Sequence, residues 1–411
     1  MKKIFLSILA VLSVLTFSSV KQVQSSDHQY YWMKVKAKDK FERSVIANTG
    51  AAIEIVKDDY VIAYGSDIEL AAIKKLGWLE ASSNLANEMK DFPTEDAAYH
   101  NYTELTNELK DLAAKNPDLV QLSSFGKTNE GRDMWVVRIG TDLAKADTKP
   151  AVIYMGGHHA REHLSVELPL MWAQYLVNEY RSGNARVVAL VQSRDIHIIP
   201  TVNPDGMEYD IHDGQYNMWR KNRVRNSNGT YGVDLNRNYG YQWGTGGSSS
   251  NTTSEVYMGP SPFSEVETIA MKNYIESHTN ITTLLSLHAY SQLILYPWGH
   301  KYDGIPTPND KAVHEKMAVT MAQWNGYTPE QTSELYIASG DTTDWAYGAH
   351  KIISFTFELD PGNSGMGGGF YPGASVIQPV FQKNIEPFMY LLEYSDNPYR
   401  VLSPTMQTVS H

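Results

Sequence analysis

A chain of 411 residues, 42% hydrophobic and 20% charged, is long enough for a large buried core and more than one domain. Its net charge of −11 excludes the basic footprint of a nucleic-acid-binding surface and reads instead as solubility. There is no cysteine, so stability must come from core burial and bound metal rather than from disulfides.

Met1-Lys2-Lys3 followed by the apolar run Ile4 to Phe17 has the form of a signal peptide, too short for a membrane span, with cleavage near Val23-Gln24-Ser25. Residues 1–26 are therefore expected to be removed on export, leaving a secreted, extracellular protein. No other run approaches ~18 apolar residues, so no membrane segment is expected in the mature chain. Residues 29–35, 52–56 and 60–64 read as strands and Asp67 to Leu76 as a helix, which makes residues 27–90 a small α/β unit with a tail. Glu80 to Phe92 is polar, lacks a strand period and runs into Pro93, and reads as a helical connector and domain boundary. A folded unit in that position is either a pro-segment or an N-terminal binding module.

From Tyr99 helices and strands alternate. Helices are expected over Tyr102–Ala114, Leu164–Tyr180, Ser264–His278, Asp310–Asn325 and Val376–Glu393. Strands are expected over Asp133–Ile139, Val152–Met155, Asp195–Val202, Leu284–His288 and Ile352–Leu359. The order predicts an α/β domain over residues 91–411, a mixed central sheet with helices on both faces and active residues at strand ends and in loops. The Gly/Ser/Asn-rich stretch 244–254 reads as a loop that demands no chemistry.

Gly156-Gly157-His158-His159-Ala160-Arg161-Glu162-His163 sits on the turn between a buried strand and the helix that begins at Leu164. Neutral imidazole and carboxylate are zinc ligands, and a catalytic zinc takes three from the protein. Either His159 and Glu162 bind with a distant histidine, or His159 and His163 bind from one helix with Glu162 as base. The second arrangement needs a helix through the cluster, and the two glycines oppose it. His288 ends a strand, where a lone histidine would fit a hydrogen-bonded core position. Glu358 closes the apolar strand Phe355-Thr356-Phe357, where a charge is costly unless paired or close to metal. Asn217 to Arg223 has the composition of a solvated basic face. In Gly232 to Asn238 an Asn-Arg-Asn run follows a short strand, and arginine's fork suits a carboxylate.

Together these residues resemble the funnelin family of zinc metallocarboxypeptidases, which contains carboxypeptidases A and B. The pattern is similar to the secreted bacterial branch typified by carboxypeptidase T, and it covers residues from about 91 to 395 with five motifs in order. The resemblance decides between the two ligand sets. It implies one Zn²⁺ per chain on His159, Glu162 and His288, with Asp234 orienting the first histidine. It also implies Glu358 as general base and Arg220 as the group that polarises the scissile carbonyl. Asn236 and Arg237 would grip the substrate's terminal carboxylate and Tyr336 would close over it. Leu295, Ala338, Asp341 and Thr343 would line the specificity pocket. The N-terminal unit is similar to the family's pro-domain, an open-faced α/β sandwich that covers the active-site funnel, so an activating protease is implied and the mature enzyme would begin near Asp91. Asn217 stands where pancreatic members have an arginine in a remoter subsite. Thr141 to Pro150, where the bacterial branch can hold calcium, carries only Asp142 and Asp147, and calcium is not expected there.

The expectation is thus a secreted, monomeric zinc exopeptidase, made as a proenzyme, that acts on peptide and protein C-termini. Thr343 is neither aliphatic nor acidic and Asp341 adds a carboxylate, so bulky hydrophobic and basic terminal residues are both expected to be released. A related zinc amidase would not need the set Arg220, Asn236, Arg237 and Tyr336. A catalytically dead binding protein would have lost a ligand or the base.

Overall fold

Alternate apolar positions in the strand segments give each sheet a face to bury, and two sheets result. The computed structural model describes residues 30–84, 92–361 and 369–403. The expected signal segment and the processing point near Asp91 lie outside the described residues. The chain divides into two compact units, one through Met89 and one from Lys90.

The first unit runs β1 (Tyr30–Lys36), α1 (Lys40–Ala47), β2 (Ala52–Val56), β3 (Tyr60–Ser66), α2 (Asp67–Leu76) and β4 (Leu79–Asn84). Its four strands form an antiparallel sheet in the order β2-β3-β1-β4. Met33 and Val35 on β1, and Val61 and Ala63 on β3, are spaced two apart and pack against Ile46 of α1 and Leu70 and Ile73 of α2. β4 corrects the helical reading from Glu80 as far as Asn84; residues 85–91 of that segment lie outside the described residues. The strand's polar residues show no apolar alternation because it is an edge strand, paired only with β1 and held by the backbone ladder.

The second unit contains α3 (Tyr102–Lys115), β5 (Val120–Lys127), β6 (Asp133–Ile139), β7 (Ala151–Met155), α4 (Leu164–Ser182), α5 (Ala185–Ser193), β8 (Asp195–Ile199), α6 (Pro204–Asp210), α7 (Val266–Ser277), β9 (Ile281–Ala289), β10 (Leu293–Tyr296), α8 (Pro308–Asn325), β11 (Thr328–Gln331), α9 (Thr332–Leu335), α10 (Thr342–His350), β12 (Ile353–Leu359) and α11 (Ile377–Tyr394). The sheet order is β11-β10-β12-β9-β7-β8-β6-β5. Its centre, β12-β9-β7-β8, is parallel, and antiparallel pairs begin at β10 on one side and β6 on the other. This is the mixed sheet that the alternating order implies.

Helices cover both faces. Val152 and Tyr154 of β7 enter a core shared with Leu109 of α3, Trp172 of α4, Met317 of α8 and Phe388 of α11. Ala151, Ile153 and Met155 of the same strand enter a second core with Met271 and Ile275 of α7 and Trp345 of α10. A strand buried on both faces reads as a continuous apolar run, as β7 does. Burying such a side chain contributes about 1.5–3 kcal/mol, so the parallel centre is the most stable part of the frame. The C-terminal ends of its strands are therefore rigid places from which to project side chains.

Candidate metal centre and its cavity

Strand β7 ends at Met155, and the chain turns through Gly156 before α4 begins at Leu164. A Cβ at Gly156 would stand 1.8 Å from the Ser165 carbonyl oxygen, so only glycine allows the turn to fold back on the helix start. That tight return brings His159 and Glu162 to the strand end. His288 and Glu358 lie directly opposite each other in the register of β9 and β12. The C-terminal ends of the central parallel strands thus collect all four.

His159, Glu162 and His288 are buried and each offers a ligand atom within 4.8 Å of the others, the one such group among the described residues. His159 Nδ1 lies 2.7 Å from Glu162 Oε1, and His288 Nδ1 lies 3.0 Å from Glu162 Oε2 and 3.2 Å from His159 Nδ1. The other nitrogens are engaged elsewhere. His159 Nε2 stands 3.2 Å from Asp234 Oδ1, and His288 Nε2 is 3.1 Å from Ser286 Oγ. With the Nε2 proton of His159 held by Asp234, its Nδ1 presents a lone pair to a carboxylate that can only accept. Acceptors converging in a buried space need a cation between them, and this donor set fits zinc. His163 takes no part. It precedes α4 with Nε2 2.9 Å from Asp210 Oδ2, so the arrangement with two histidines on one helix is absent.

The two carboxyls at the centre are driven apart electrostatically. Burial alone would raise Glu162, but His159 and His288 outweigh it and hold it well below the usual carboxylate range. Burial and then the charge of Glu162 push Glu358 up to about 8, against the pull of Arg220 and Arg237. The two carboxyls thus sit in opposite electrostatic surroundings within one cavity.

Asp234 caps the short turn Leu235–Arg237 and joins several parts of the site. Its Oδ1 faces His159 and accepts the Asn236 N–H at 3.0 Å; its Oδ2 accepts from Arg220 Nε at 3.0 Å and lies 2.9 Å from Nη2. The Arg220 carbonyl accepts from Ala160 N–H at 3.0 Å, which ties the arginine to the His159–Glu162 turn. Asn236 Oδ1 accepts from the Thr342 amide and hydroxyl, both at 3.0 Å. Arg237 is fixed by donating Nη1 to the Asn236 carbonyl at 2.7 Å and Nε to that of Gly247 at 3.1 Å. The 244–254 stretch is a loop, as its composition indicates, yet it serves the site by anchoring this arginine.

These residues surround an open cavity of about 290 Å³. His159, Glu162, His288, Arg220, Asn236, Arg237, Tyr336, Ala338, Asp341, Thr343, Leu295 and Glu358 all line it, while Asp234 stands behind the wall. Tyr336 is 52% exposed with extended backbone, and its ring centre lies 6.0 Å from Arg237 Cζ. Asp341 is the N-cap of α10, with Oδ1 accepting from Asp344 N–H at 2.9 Å. Tyr290, Ser291, Thr332, Leu335, Thr356 and Phe370 also line the cavity and have no counterpart in the sequence reading. Thr356 could have been found, since it lies two residues before Glu358 on one strand face. Asn217 donates twice to the Asp210 carbonyl, at 2.8 and 3.1 Å, and so serves its own loop. Asp142 and Asp147 pair with Lys145 and Arg138.

A mixed sheet wrapped on both faces, with a group that could hold a metal at its strand ends and a buried glutamate beside it, has the form of a metallohydrolase. Comparison with known proteins sharpens this: the zinc carboxypeptidase family matches residues 105–387. A zinc carboxypeptidase of Saccharothrix mutabilis subsp. capreolus is 38% identical over 350 residues, covering 82% of this chain and 78% of its own. A carboxypeptidase B of Astacus astacus is 35% identical, over 74% of this chain and 98% of its own. The crystal structure of carboxypeptidase A from Helicoverpa armigera aligns with a TM-score of 0.65 at 25% identity, covering 90% of this chain and 97% of that one. The chain belongs to the zinc carboxypeptidase family and is a zinc metallocarboxypeptidase. Among the described residues no helix is long and apolar enough to cross a membrane.

Proposed function

We propose that this enzyme is exported as a proenzyme and removes C-terminal residues from peptides and proteins, with zinc held by His159, Glu162 and His288. The supporting observation is one cavity that holds the converging triad, the raised Glu358 and the anchored Arg237 together. When bound, zinc supplies Lewis acidity and a nucleophilic water at neutral pH. Arg237, already directed by two carbonyls, pairs with the substrate's terminal carboxylate, with Asn236 beside it and Tyr336 free to fold over it. This fixes the last peptide bond at the reactive centre. Arg220, held by Asp234, donates to the scissile carbonyl as negative charge develops on its oxygen. Glu358 takes the proton of the attacking water and delivers it to the leaving amine. No covalent acyl-enzyme is needed.

The terminal side chain would enter between Leu295, Ala338, Asp341 and Thr343. Leu295 and Ala338 favour bulky apolar groups, each methylene contributing about 1–3 kcal/mol. Asp341 favours a cation, because its Oδ2 is buried with no hydrogen bond. Residues 27–90 would lower activity until an activating protease cuts near Asp91. The test is release of amino acids from a peptide library by precursor and trimmed enzyme, with and without chelator. Chelator-insensitive release, or cleavage of internal bonds alone, would refute the reading. Equal activity of precursor and trimmed enzyme on a large peptide would refute the proenzyme.

A further inference from the structure

The turn into α10 carries two buried carboxyl groups, and their surroundings differ. Asp344 has no exposed surface and both of its oxygens have donors. Gly299 N–H reaches Oδ1 at 2.9 Å and Oδ2 at 3.1 Å, while His300 N–H reaches Oδ2 at 3.0 Å. The His300 ring nitrogen Nδ1 stands 2.6 Å from that same Oδ2. Asp341 has less support. Its Oδ1 accepts from Thr343 Oγ1 at 2.7 Å and from Asp344 N–H, but its Oδ2 is buried and accepts nothing.

A buried carboxylate oxygen with no donor bears its full desolvation cost, and a proton placed there removes that cost. Of the two carboxyls, Asp341 is the one with an oxygen that no donor reaches, so a proton is best placed there. Arg237 and Tyr239 also face Asp341, and His300 and Tyr241 face Asp344. Burial first, and then Asp344, push Asp341 up to about 7, Arg237 opposing them. Asp341 nevertheless lines the cavity.

We propose that Asp341, whose unbonded carboxyl oxygen lies close to Asp344, carries an exchangeable proton that lets one pocket accept two kinds of terminal side chain. With its proton, Asp341 is a neutral wall for an aliphatic or aromatic group. When a guanidinium or ammonium enters, Asp341 releases the proton to solvent and becomes the partner anion, while Asp344 sets how hard that release is. The proposal rests on the reading that this part of the cavity receives the terminal side chain. It adds that the choice of terminal residue depends on pH and on a residue that does not line the cavity.

The test compares kcat/KM of the zinc-loaded enzyme for two blocked peptides that differ only in ending with Arg or Leu, from about pH 5 to about pH 9. Taking the ratio cancels ionisations common to both reactions, including those at the metal centre. The ratio is expected to rise with pH by up to about tenfold per pH unit and then level off. Asp344→Asn should move the midpoint to lower pH, raising the ratio at the acid end by about tenfold for each pH unit that the midpoint moves. Asp341→Asn should give a low ratio that does not vary with pH. Arg-ended peptide cleaved with a pH-independent ratio in the unmodified enzyme would overturn the exchangeable proton while leaving dual preference standing. No cleavage of the Arg-ended peptide at any pH would overturn the underlying reading. Should Asp344→Asn fail to fold, the unmodified and Asp341→Asn profiles decide alone.

Discussion

Asp234→Asn probes both the proposed metal ligand His159 and the proposed oxyanion donor Arg220 in a single substitution. Asp234 is fully buried and receives His159 Nε2 at 3.2 Å, Arg220 Nε at 3.0 Å and the Asn236 amide at 3.0 Å. Asparagine keeps the volume but replaces one acceptor with a donor, so either the histidine or the arginine faces a clash of hydrogens. Loss of the group behind a metal-binding histidine typically weakens affinity 10- to 100-fold, or about 1.4–2.7 kcal/mol. A misplaced Arg220 should cost a further ~10²- to 10³-fold in turnover, as removal of one oxyanion donor does. Zinc affinity measured by chelator competition reports the first effect, and kcat at saturating zinc reports the second. Zinc affinity within about twofold of the unmodified enzyme, with kcat also within about threefold, would refute the role given to Asp234.

Glu358→Gln is expected to abolish turnover while zinc content stays at one per chain; near-normal turnover would remove Glu358 from the mechanism. His288→Ala should lose both zinc and activity, whereas His163→Ala should keep zinc but lose about 1–3 kcal/mol of stability, because Asp210 loses one of its buried hydrogen-bond partners while keeping Trp219 and Tyr371. Converting the substrate's terminal carboxylate to an amide should suppress hydrolysis, since Arg237 would have no anion to pair with; unchanged kcat/KM would refute that pairing. Glu267 is buried with Oε1 unbonded, and burial pushes it up to about 7. A carboxyl raised in the fold above its unfolded value contributes stability that is present at acid pH and lost as pH rises through about 7. Glu267→Gln should therefore flatten the decline in unfolding free energy between about pH 5 and about pH 8, by up to about 3 kcal/mol. A variant whose denaturant midpoints fall with pH as steeply as the unmodified protein's would refute this.

The parts of the fold that could be read from sequence were those where burial dictates composition. β7, β9 and β12 are apolar because both faces are covered, and a His or Glu at the end of such a run stands out. β5 was hidden because the alternation of Val120 and Leu122 with Gln121 and Ser123 is short and breaks at Ser124, where the pairing with β6 shifts register. β10 and β11 are four residues each, too short for a period to show. α10 has poor helix formers at Thr342 and Thr343 and depends on its Asp341 cap, a signal present in the sequence but easily taken for a turn. The same holds for the site. Its charged members were recognisable from residue type and order, but Tyr290 and Phe370 enter the cavity through tertiary folding alone and leave no local trace. Nor did the sequence show that Asp344 and His300 stand behind Asp341, because that contact joins segments 44 residues apart.

The parallel strands also fix when the metal centre can exist. Glu162 and His288 lie 126 residues apart, and β9 must dock between β7 and β12 before the third proposed ligand reaches the first two. The half-site on the Gly156–His163 turn is local, so an unfolded chain offers zinc at most part of its coordination. Ion binding therefore favours the assembled sheet, by about 2.7 kcal/mol when free zinc is a hundred times its dissociation constant. In a chain without cysteine, the ion acts as a cross-link between distant segments, one that a chelator opens and a reductant does not.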